Sequence, residues 1–402
     1  MASFSKNADI ISELFDRGTV DVIDRARLTA RLERGECLRV KLGIDPTGKD
    51  IHLGHAVVLR KLRQFQKYGH QVVLIIGDWT ARIGDPSGRK EARPPLTAEQ
   101  VKENAHSYLD QISSIIDIRK VEVRMQSEWF DAFTLQTVIE LAGKFTVQQL
   151  TQRDDIKERI AAGIDVRYHE PMYCLLQGYD SVPIKADVEL GGNDQLFNLL
   201  KGREVQEIYG VTPQDVLTVP LLIGLDGAQK MGKSLNNYIA ISDTAGDMYG
   251  KIMSLPDQLI VQYFTLATDI PLMELREIEE MLHRGKANPR DMKARLAREV
   301  VTLYYSANKA VEAEEEFNRV FRSREMPHSI REMPHKRNPV RLDELLVVAE
   351  LAESKSEAQR LIAQGGVQVA GAVVKDWKKE ITLNDGDVVQ VGKRKFVRIR
   401  YL

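Results

Sequence analysis

The sequence predicts an α/β protein: a parallel-sheet domain, then a helical region, then a small α+β module. Three observations predict this. Two apolar runs, residues 38–44 (LRVKLGI) and 71–76 (QVVLII), flank a stretch where Ala56, Leu59, Leu62, Phe65 and Gln66 recur at helical spacing. A helix between two apolar strands is a βαβ unit, and its strands are parallel. From about residue 240 to 320 the apolar spacing is helical, and beyond residue 341 two short helices give way to short alternating strands.

In chain order, residues 121–125 and 216–223 add two further strand candidates, so the parallel sheet extends from about residue 35 to about 225. Ligands of such sheets bind beyond the carboxyl ends of the strands. The turn-rich segments Gly43-Ile-Asp-Pro-Thr-Gly48 and Gly77-Asp-Trp-Thr-Ala-Arg-Ile-Gly-Asp-Pro-Ser-Gly-Arg89 leave the first two strands at that end. Amphipathic helices follow at 289–305 and 310–321. An Arg-Glu-Met-Pro-His sequence then occurs twice, at Arg324–His328 and Arg331–His335, with two prolines and no strong apolar period, which reads as a linker. Residues 342–352 and 356–363 read as short helices, the second stopped by Gly365-Gly366. Residues 367–369, 388–391 and 396–399 read as strands. The expected division is 1–235, 236–321, a linker at 322–340, and 341–402.

At 402 residues, 43% apolar and 29% charged, the chain has the composition of a soluble globular protein with room for two or three domains. The net charge of −1 is unevenly spread: residues 318–402 hold 17 Lys and Arg against 11 Asp and Glu. A basic tail on an acidic body points to an anionic partner for the tail. Cys37 and Cys174 form no C-x-x-C pair, which argues against a disulfide framework and structural zinc. The amino terminus has no signal-like apolar core and the chain has no 18-residue apolar run, so a cytoplasmic protein without a membrane span is expected.

Two constellations carry chemistry. His52-Leu-Gly-His55 opens the first helix. Its i, i+3 spacing lacks the glutamate and third ligand of a helical metal pair. A helix N-terminus after a parallel strand is instead an anion site, where histidines donate to phosphate oxygens and Gly54 lets a nucleotide approach the backbone. The second is Gln229-Lys-Met-Gly-Lys-Ser-Leu-Asn-Asn237. Two lysines around a glycine suit phosphates whose charge shifts during reaction.

His52-Leu-Gly-His55 resembles the HIGH motif, and Lys230-Met-Gly-Lys-Ser234 the KMSKS motif, of class I aminoacyl-tRNA synthetases. Gly43-Ile-Asp-Pro-Thr47, Ile83-Gly-Asp-Pro-Ser-Gly88, Tyr173-Cys-Leu-Leu-Gln-Gly-Tyr-Asp180 and Gly191-Gly-Asn-Asp-Gln195 resemble the bacterial tyrosyl subgroup, and the tail resembles an S4 RNA-binding module. The resemblance covers about residues 5 to 400. It implies a Rossmann-like catalytic domain, an α-helical anticodon-binding-type domain and an S4-like domain. It also implies ATP with Mg²⁺ as co-substrate and no other cofactor, L-tyrosine and tRNA(Tyr) as substrates, and a homodimer. No metal site on the protein is expected.

By the same resemblance His52, His55, Lys230, Lys233 and Thr47 are catalytic, handling the ATP phosphates. Asp45, Gly54, Asp194, Met231 and Ser234 contact ATP. Asp180 accepts the tyrosine phenol, Tyr173, Gln177 and Asp85 surround its ammonium group, and Gln195 lies near its carboxylate. Lys393, Arg394, Lys395 and Arg398 are the RNA-binding cations. For the dimer, residues 130–150 offer Phe130, Phe133, Val138, Leu141 and Phe145, which a monomer core would use equally well. One departure stands out: Lys41 occupies the place of a tyrosine common in the family, and Glu189 that of a glutamine. A tryptophan enzyme, a purely RNA-binding protein and a small-molecule adenylyltransferase are the rival readings. Asp180 and the S4-like tail argue against the first, the intact histidines and lysines against the second, and the basic tail against the third.

Overall fold

The computed structural model describes residues 10–85, 96–321, 330–336, 338–392 and 395–401. The chain divides into two compact units, Met1–Ala310 and Val311–Leu402.

The first unit is built on a six-stranded sheet: β1 (Val22–Ile23), β2 (Arg39–Ile44), β3 (Gln71–Ile76), β4 (Val121–Met125), β5 (Val188–Gly192) and β6 (Asp215–Val219). Their order across the sheet is β1-β6-β5-β2-β3-β4. All neighbours are parallel except the short edge strand β1, which runs antiparallel to β6. The chain moves outward from β2 through β3 to β4 and then returns to the other side of β2 with β5. The switch point therefore falls between β2 and β5, where a crevice opens at the carboxyl edge. Val40, Val72, Val73, Leu74, Ile75 and Val188 have no exposed surface, as expected of strands covered on both faces.

The helix Leu53–Lys67 buries Leu53, Ala56, Leu59, Leu62 and Phe65 on the sheet, the i, i+3, i+4 stripe read from the sequence. On the other face, Tyr173–Tyr179 packs against Leu196–Ile208. Their crossing is close enough that a Cβ on Gly178 would stand 3.2 Å from the Gly202 backbone, so Gly178 lets the segment that carries Tyr173 and Asp180 lie close to Leu196–Ile208.

The helices Ala245–Met253, Ile260–Ala267, Leu272–His283 and Pro289–Tyr304 belong to the same compact unit as the sheet, not to a separate one beginning at residue 236. Arg60 reaches from Leu53–Lys67 to Asp269 (2.5 Å), and the buried Arg17 donates to the carbonyls of Phe264, Thr265, Thr268 and Ile270. Phe264 and Thr265 lie in the last turn of the helix Ile260–Ala267 and Thr268 and Ile270 just beyond it, so a buried guanidinium caps this helix end together with the Thr268 hydroxyl, which donates to the Phe264 carbonyl at 2.6 Å.

The second unit holds β7 (Glu332–His335), β8 (Val340–Arg341), the helices Leu342–Val348 and Lys355–Ala363, then β9 (Val367–Val369), β10 (Ala372–Val374), β11 (Glu380–Ile381), β12 (Val388–Val391) and β13 (Lys395–Tyr401). A five-stranded sheet, β10-β9-β12-β13-β7, covers a core of Leu342, Leu345, Leu346, Ile362, Val389, Val397 and Ile399. The sequence reading lacks the short strands β8, β10 and β11, and it departs from this at β7 as well. The second Arg-Glu-Met-Pro-His copy, placed in the linker, forms β7 and pairs parallel with β13. Pro334 is compatible because β7 is an edge strand. The first copy lies outside the described residues. Among the described residues no helix is long and apolar enough to cross a membrane.

Candidate active site

The sheet delivers its loops to one edge, and the histidine pair lies there. His52 caps Leu53–Lys67 in extended conformation. Its backbone N–H donates to His55 Nδ1 at 3.3 Å, and the two rings stack with centroids 3.8 Å apart. A Cβ at residue 54 would stand 2.9 Å from His52 Nδ1, so Gly54 is what allows the stack. Burial, then the nearby Lys233 ammonium, push the His52 pKa down to about 4. The ring is therefore neutral at physiological pH. Its Nδ1 is buried and has no hydrogen-bond partner among the described residues.

The lysine segment reaches the same place by backbone pairing. After β6 the chain doubles back: the Met231 N–H donates to the Leu222 carbonyl (2.7 Å) and the Gly224 N–H to that of Gln229 (2.8 Å). Asn237 closes the loop. Its amide donates to Asp226 Oδ2 (2.7 Å) and the Lys230 carbonyl (3.2 Å), and its oxygen accepts from the Gly232 N–H (2.8 Å). The exit then pairs with the histidine helix, Leu53 N–H to Ile239 carbonyl at 2.9 Å and Ile241 N–H to Ile51 carbonyl at 3.0 Å. The Gly54 N–H donates to Met231 Sδ at 3.3 Å. Lys233 Nζ lies 3.5 Å from the Tyr108 hydroxyl, and a Cβ on Gly48 would touch it at 2.9 Å. His52, His55, Gly54, Met231 and Lys233 are thus brought together beside the loop after β2. Ser234 is exposed at the loop tip, Thr47 is half-buried, and Lys230 pairs with Asp194 at 2.9 Å.

A second group follows the same strand ends. The Tyr173 hydroxyl donates to Asp45 Oδ2 (2.9 Å), the Thr80 hydroxyl to Asp45 Oδ1 (2.6 Å), and Gln126 Oε1 accepts from the Thr80 N–H (2.9 Å). Gln126 Nε2 in turn donates to Asp180 Oδ2 (2.8 Å), whose other oxygen accepts from Trp129 Nε1 (3.1 Å). One chain of hydrogen bonds therefore runs from Tyr173 to Asp180. Asp180 is 1% exposed, and burial pushes its pKa up to about 7, opposed chiefly by the Lys41 charge. Burial also holds the Tyr173 hydroxyl well above its usual range, so it stays a donor. Asp85 accepts from Gln195 (2.9 Å) and Arg153 (3.2 Å). Gln177 Oε1 is buried and has no partner among the described residues.

Thr80, Gln126, Trp129, Arg153, Tyr108 and Asn237 were missed by sequence reasoning. The rule that ligands lie at strand carboxyl ends marks the first three, which follow β3 and β4. Asn237 closes the quoted lysine segment but was given no role there, and nothing in the sequence marks Arg153 or Tyr108. Of the tail cations, Lys393 and Arg394 lie outside the described residues. Lys395 and Arg398 stand on β13, where the Lys395 ammonium donates to the Leu351 carbonyl at 3.2 Å.

The family model described as tRNA synthetases class I (W and Y) matches residues 33–322, which hold both constellations. The chain belongs to this family. An S4 domain model matches residues 340–389. The tyrosine–tRNA ligase of Dehalococcoides mccartyi is 49% identical over 390 residues, 96% of this chain and 97% of its own. That of Thermotoga maritima is 49% identical over 389 residues, 96% of each chain. Among solved structures, a C-terminally truncated mitochondrial tyrosyl-tRNA synthetase of Aspergillus nidulans superposes with TM-score 0.65 at 21% identity, covering 78% of this chain and 94% of that one, a likeness of fold. The class I fold thus carries the histidine and lysine constellations where the geometry gathers them.

Because the folded pKa of His52 lies below its ordinary 6.5, the unfolded chain binds more protons between about pH 4 and 6.5, and stability falls as pH drops through that window. NMR titration of the His52 ring, assigned with His52→Asn, is expected to give a midpoint near 4. A midpoint near 6.5 would contradict the buried neutral ring.

Proposed function

We propose that this chain is a tyrosine–tRNA ligase that works through these two groups, with ATP and its Mg²⁺ as co-substrate. In the first step a tyrosine carboxylate oxygen attacks the α-phosphorus and pyrophosphate leaves. In the second, the terminal ribose hydroxyl of tRNA(Tyr) attacks the tyrosyl carbonyl and AMP leaves. The observation that carries this reading is the convergence of His52, His55 and Lys233 on one helix N-terminus at the switch-point edge where Asp45 and Tyr173 also meet.

Phosphoryl transfer needs placement and charge stabilisation more than covalent help. His52 and His55 donate to the phosphates beside the helix N-terminus, with Thr47 near the γ-phosphate. Lys233 and Lys230 follow the pyrophosphate as negative charge builds on it, so their contribution is largest in the transition state. Lys230 leaves Asp194 to do so, freeing that carboxylate for the adenylate ribose. Asp45, Gly54, Met231 and Ser234 complete the nucleotide contacts. The ammonium group of tyrosine lies among Asp85, Tyr173 and the unpartnered Gln177 oxygen, with Gln195 beside the carboxylate. Asp180 accepts the phenol. Each of its oxygens holds one donor and keeps a lone pair for another, whereas phenylalanine offers no donor there.

The tail, through Lys393, Arg394, Lys395 and Arg398, holds tRNA by its phosphates. The homodimer joins through residues 130–150. Phe130 and Leu141 are buried within the subunit, while Leu135 (75%), Ile139 (61%) and Val147 (68%) lie exposed and supply the apolar face. The enzyme works in the cytoplasm, with both cysteines as free thiols.

Tyrosine is expected to drive exchange of pyrophosphate into ATP far better than tryptophan or phenylalanine, and exchange stimulated best by tryptophan sinks the reading. Truncation after residue 321, ahead of β7, should leave that exchange intact while abolishing charging of tRNA. Equal charging by the truncated protein shows that the tail is not the RNA-binding element. Full-length protein should sediment as twice 45.6 kDa, and Leu135→Asp/Ile139→Asp as a monomer. A monomeric full-length protein at micromolar concentration counts against the dimer.

A further inference from the structure

Beneath Asp180 lies a pair of charges that the chemistry above does not use. Lys41 and Glu189 are direct register partners on the adjacent parallel strands β2 and β5. Their side chains are 0% and 1% exposed, and Lys41 Nζ meets Glu189 Oε1 at 2.8 Å. The remaining two ammonium protons go to the Ser181 hydroxyl (2.8 Å) and the Gln177 carbonyl (3.0 Å). Glu189 Oε2 accepts from Gln214 Nε2 and, at 3.4 Å, from Ser181 Oγ. Besides Glu189, Lys41 therefore contacts the Gln177 backbone carbonyl and Ser181, the immediate neighbour of Asp180.

Both strands lie at the centre of a sheet whose buried positions are mostly apolar, Asp215 and Thr218 on β6 excepted, and an ion pair there is often no better for stability than well-packed hydrophobic side chains. Asp180 is buried among Gln126, Trp129, Ser181 and Lys41, and its two nearest hydrogen-bonding neighbours are N–H donors. A protonated Asp180 would have to place a hydroxyl against those donors, whereas a carboxylate satisfies them and still accepts a phenol. The charged and titratable groups around it are Lys41 from β2, Glu189 from β5 and the Tyr173 hydroxyl from its own helical segment. Arg124 lies outside, over the Trp129 ring at 5.8 Å. Lys41 is the positive charge among the groups that touch this buried end, and Glu189 offsets part of it.

We propose that Lys41 and Glu189 form a positioning pair that keeps Asp180 a carboxylate able to accept the tyrosine phenol, and thereby sets the preference for tyrosine over phenylalanine. This rests on Asp180 being the phenol acceptor. Lys41 acts through its field and through Ser181 and Gln177, without a hydrogen bond to Asp180. Glu189 fixes the ammonium in place and moderates it. The two residues therefore work in opposite directions on the Asp180 charge, although they stabilise one another in the fold.

That opposition supplies the test. Pyrophosphate exchange is measured from about pH 5.5 to about 8.5, with tyrosine and with phenylalanine, for the full-length wild type, Glu189→Gln, Lys41→Met and the double variant. In the wild type kcat/KM for tyrosine should rise with pH as Asp180 ionises. Glu189→Gln should move that midpoint down, because the unpaired ammonium then faces Asp180 alone. Lys41→Met should move it up and lower the tyrosine-over-phenylalanine ratio at neutral pH by about tenfold or more, the equivalent of one unit in the charge equilibrium. The change should fall on KM for tyrosine, leaving kcat at saturation largely intact. If Lys41→Met does not fold, the downward shift in Glu189→Gln decides alone. Midpoints that stay fixed, or move the same way in both variants, overturn the pair's role and leave a structural ion pair. Absence of tyrosine-dependent exchange in the wild type is a different result, and it overturns the proposed function itself.

Discussion

Two backbone hydrogen bonds, Leu53 N–H to Ile239 carbonyl and Ile241 N–H to Ile51 carbonyl, hold the histidine helix and the lysine loop of this site together. The histidine helix and the lysine loop lie far apart in sequence and arrive from different strands. A parallel sheet guarantees that both arrive at the same edge. It does not guarantee contact. The short antiparallel pairing between 51–53 and 239–241 supplies that, and the knot of Asn237 with Asp226, Lys230 and Gly232 carries the constraint into the loop itself. Met231 beneath Gly54 then fixes how close the lysines come to the rings.

Charge states in the site follow from burial rather than from residue type. The His52 ring stays neutral because it is enclosed and faces an ammonium group, so in the proposed reaction it would meet phosphate as a dipole and not as a cation. The full positive charges are left to Lys230 and Lys233 on a loop, where they can follow charge as it moves. On the amino-acid side the chain Tyr173–Asp45–Thr80–Gln126–Asp180 links residues from four separate segments, so the position of each depends on the others.

Much of this was legible in the sequence, and the failures share a cause. β3 and β4 sit where apolar runs predict, and β2 departs by a single residue. β5 escaped notice because Val188-Glu-Leu-Gly-Gly192 places a carboxylate and two glycines in a central strand. That composition is tolerable only because Lys41 lies in register beside Glu189, and no local pattern shows such a partner. β7 was read as linker because Pro334 and flanking charges disqualify a central strand, yet its place at a sheet edge removes the objection. In the site, the histidine and lysine motifs were legible because their spacing is local. Gln126 and Trp129 are marked only by their place after a strand end, and Arg153 and Tyr108 not at all, because their contacts arise where segments from distant parts of the chain meet.

The central claim is that His52 and Lys233 act as one unit on the phosphates while the nucleotide reacts. A double-mutant cycle with His52→Ala and Lys233→Ala, read in the single-turnover rate of tyrosyl-adenylate formation, tests it most directly. The account predicts that the double variant loses less than the sum of the single losses, with a coupling of about 0.5–3 kcal/mol in the rate and little in ATP binding. Losses that simply add in the rate, or a coupling confined to ATP binding, would contradict it.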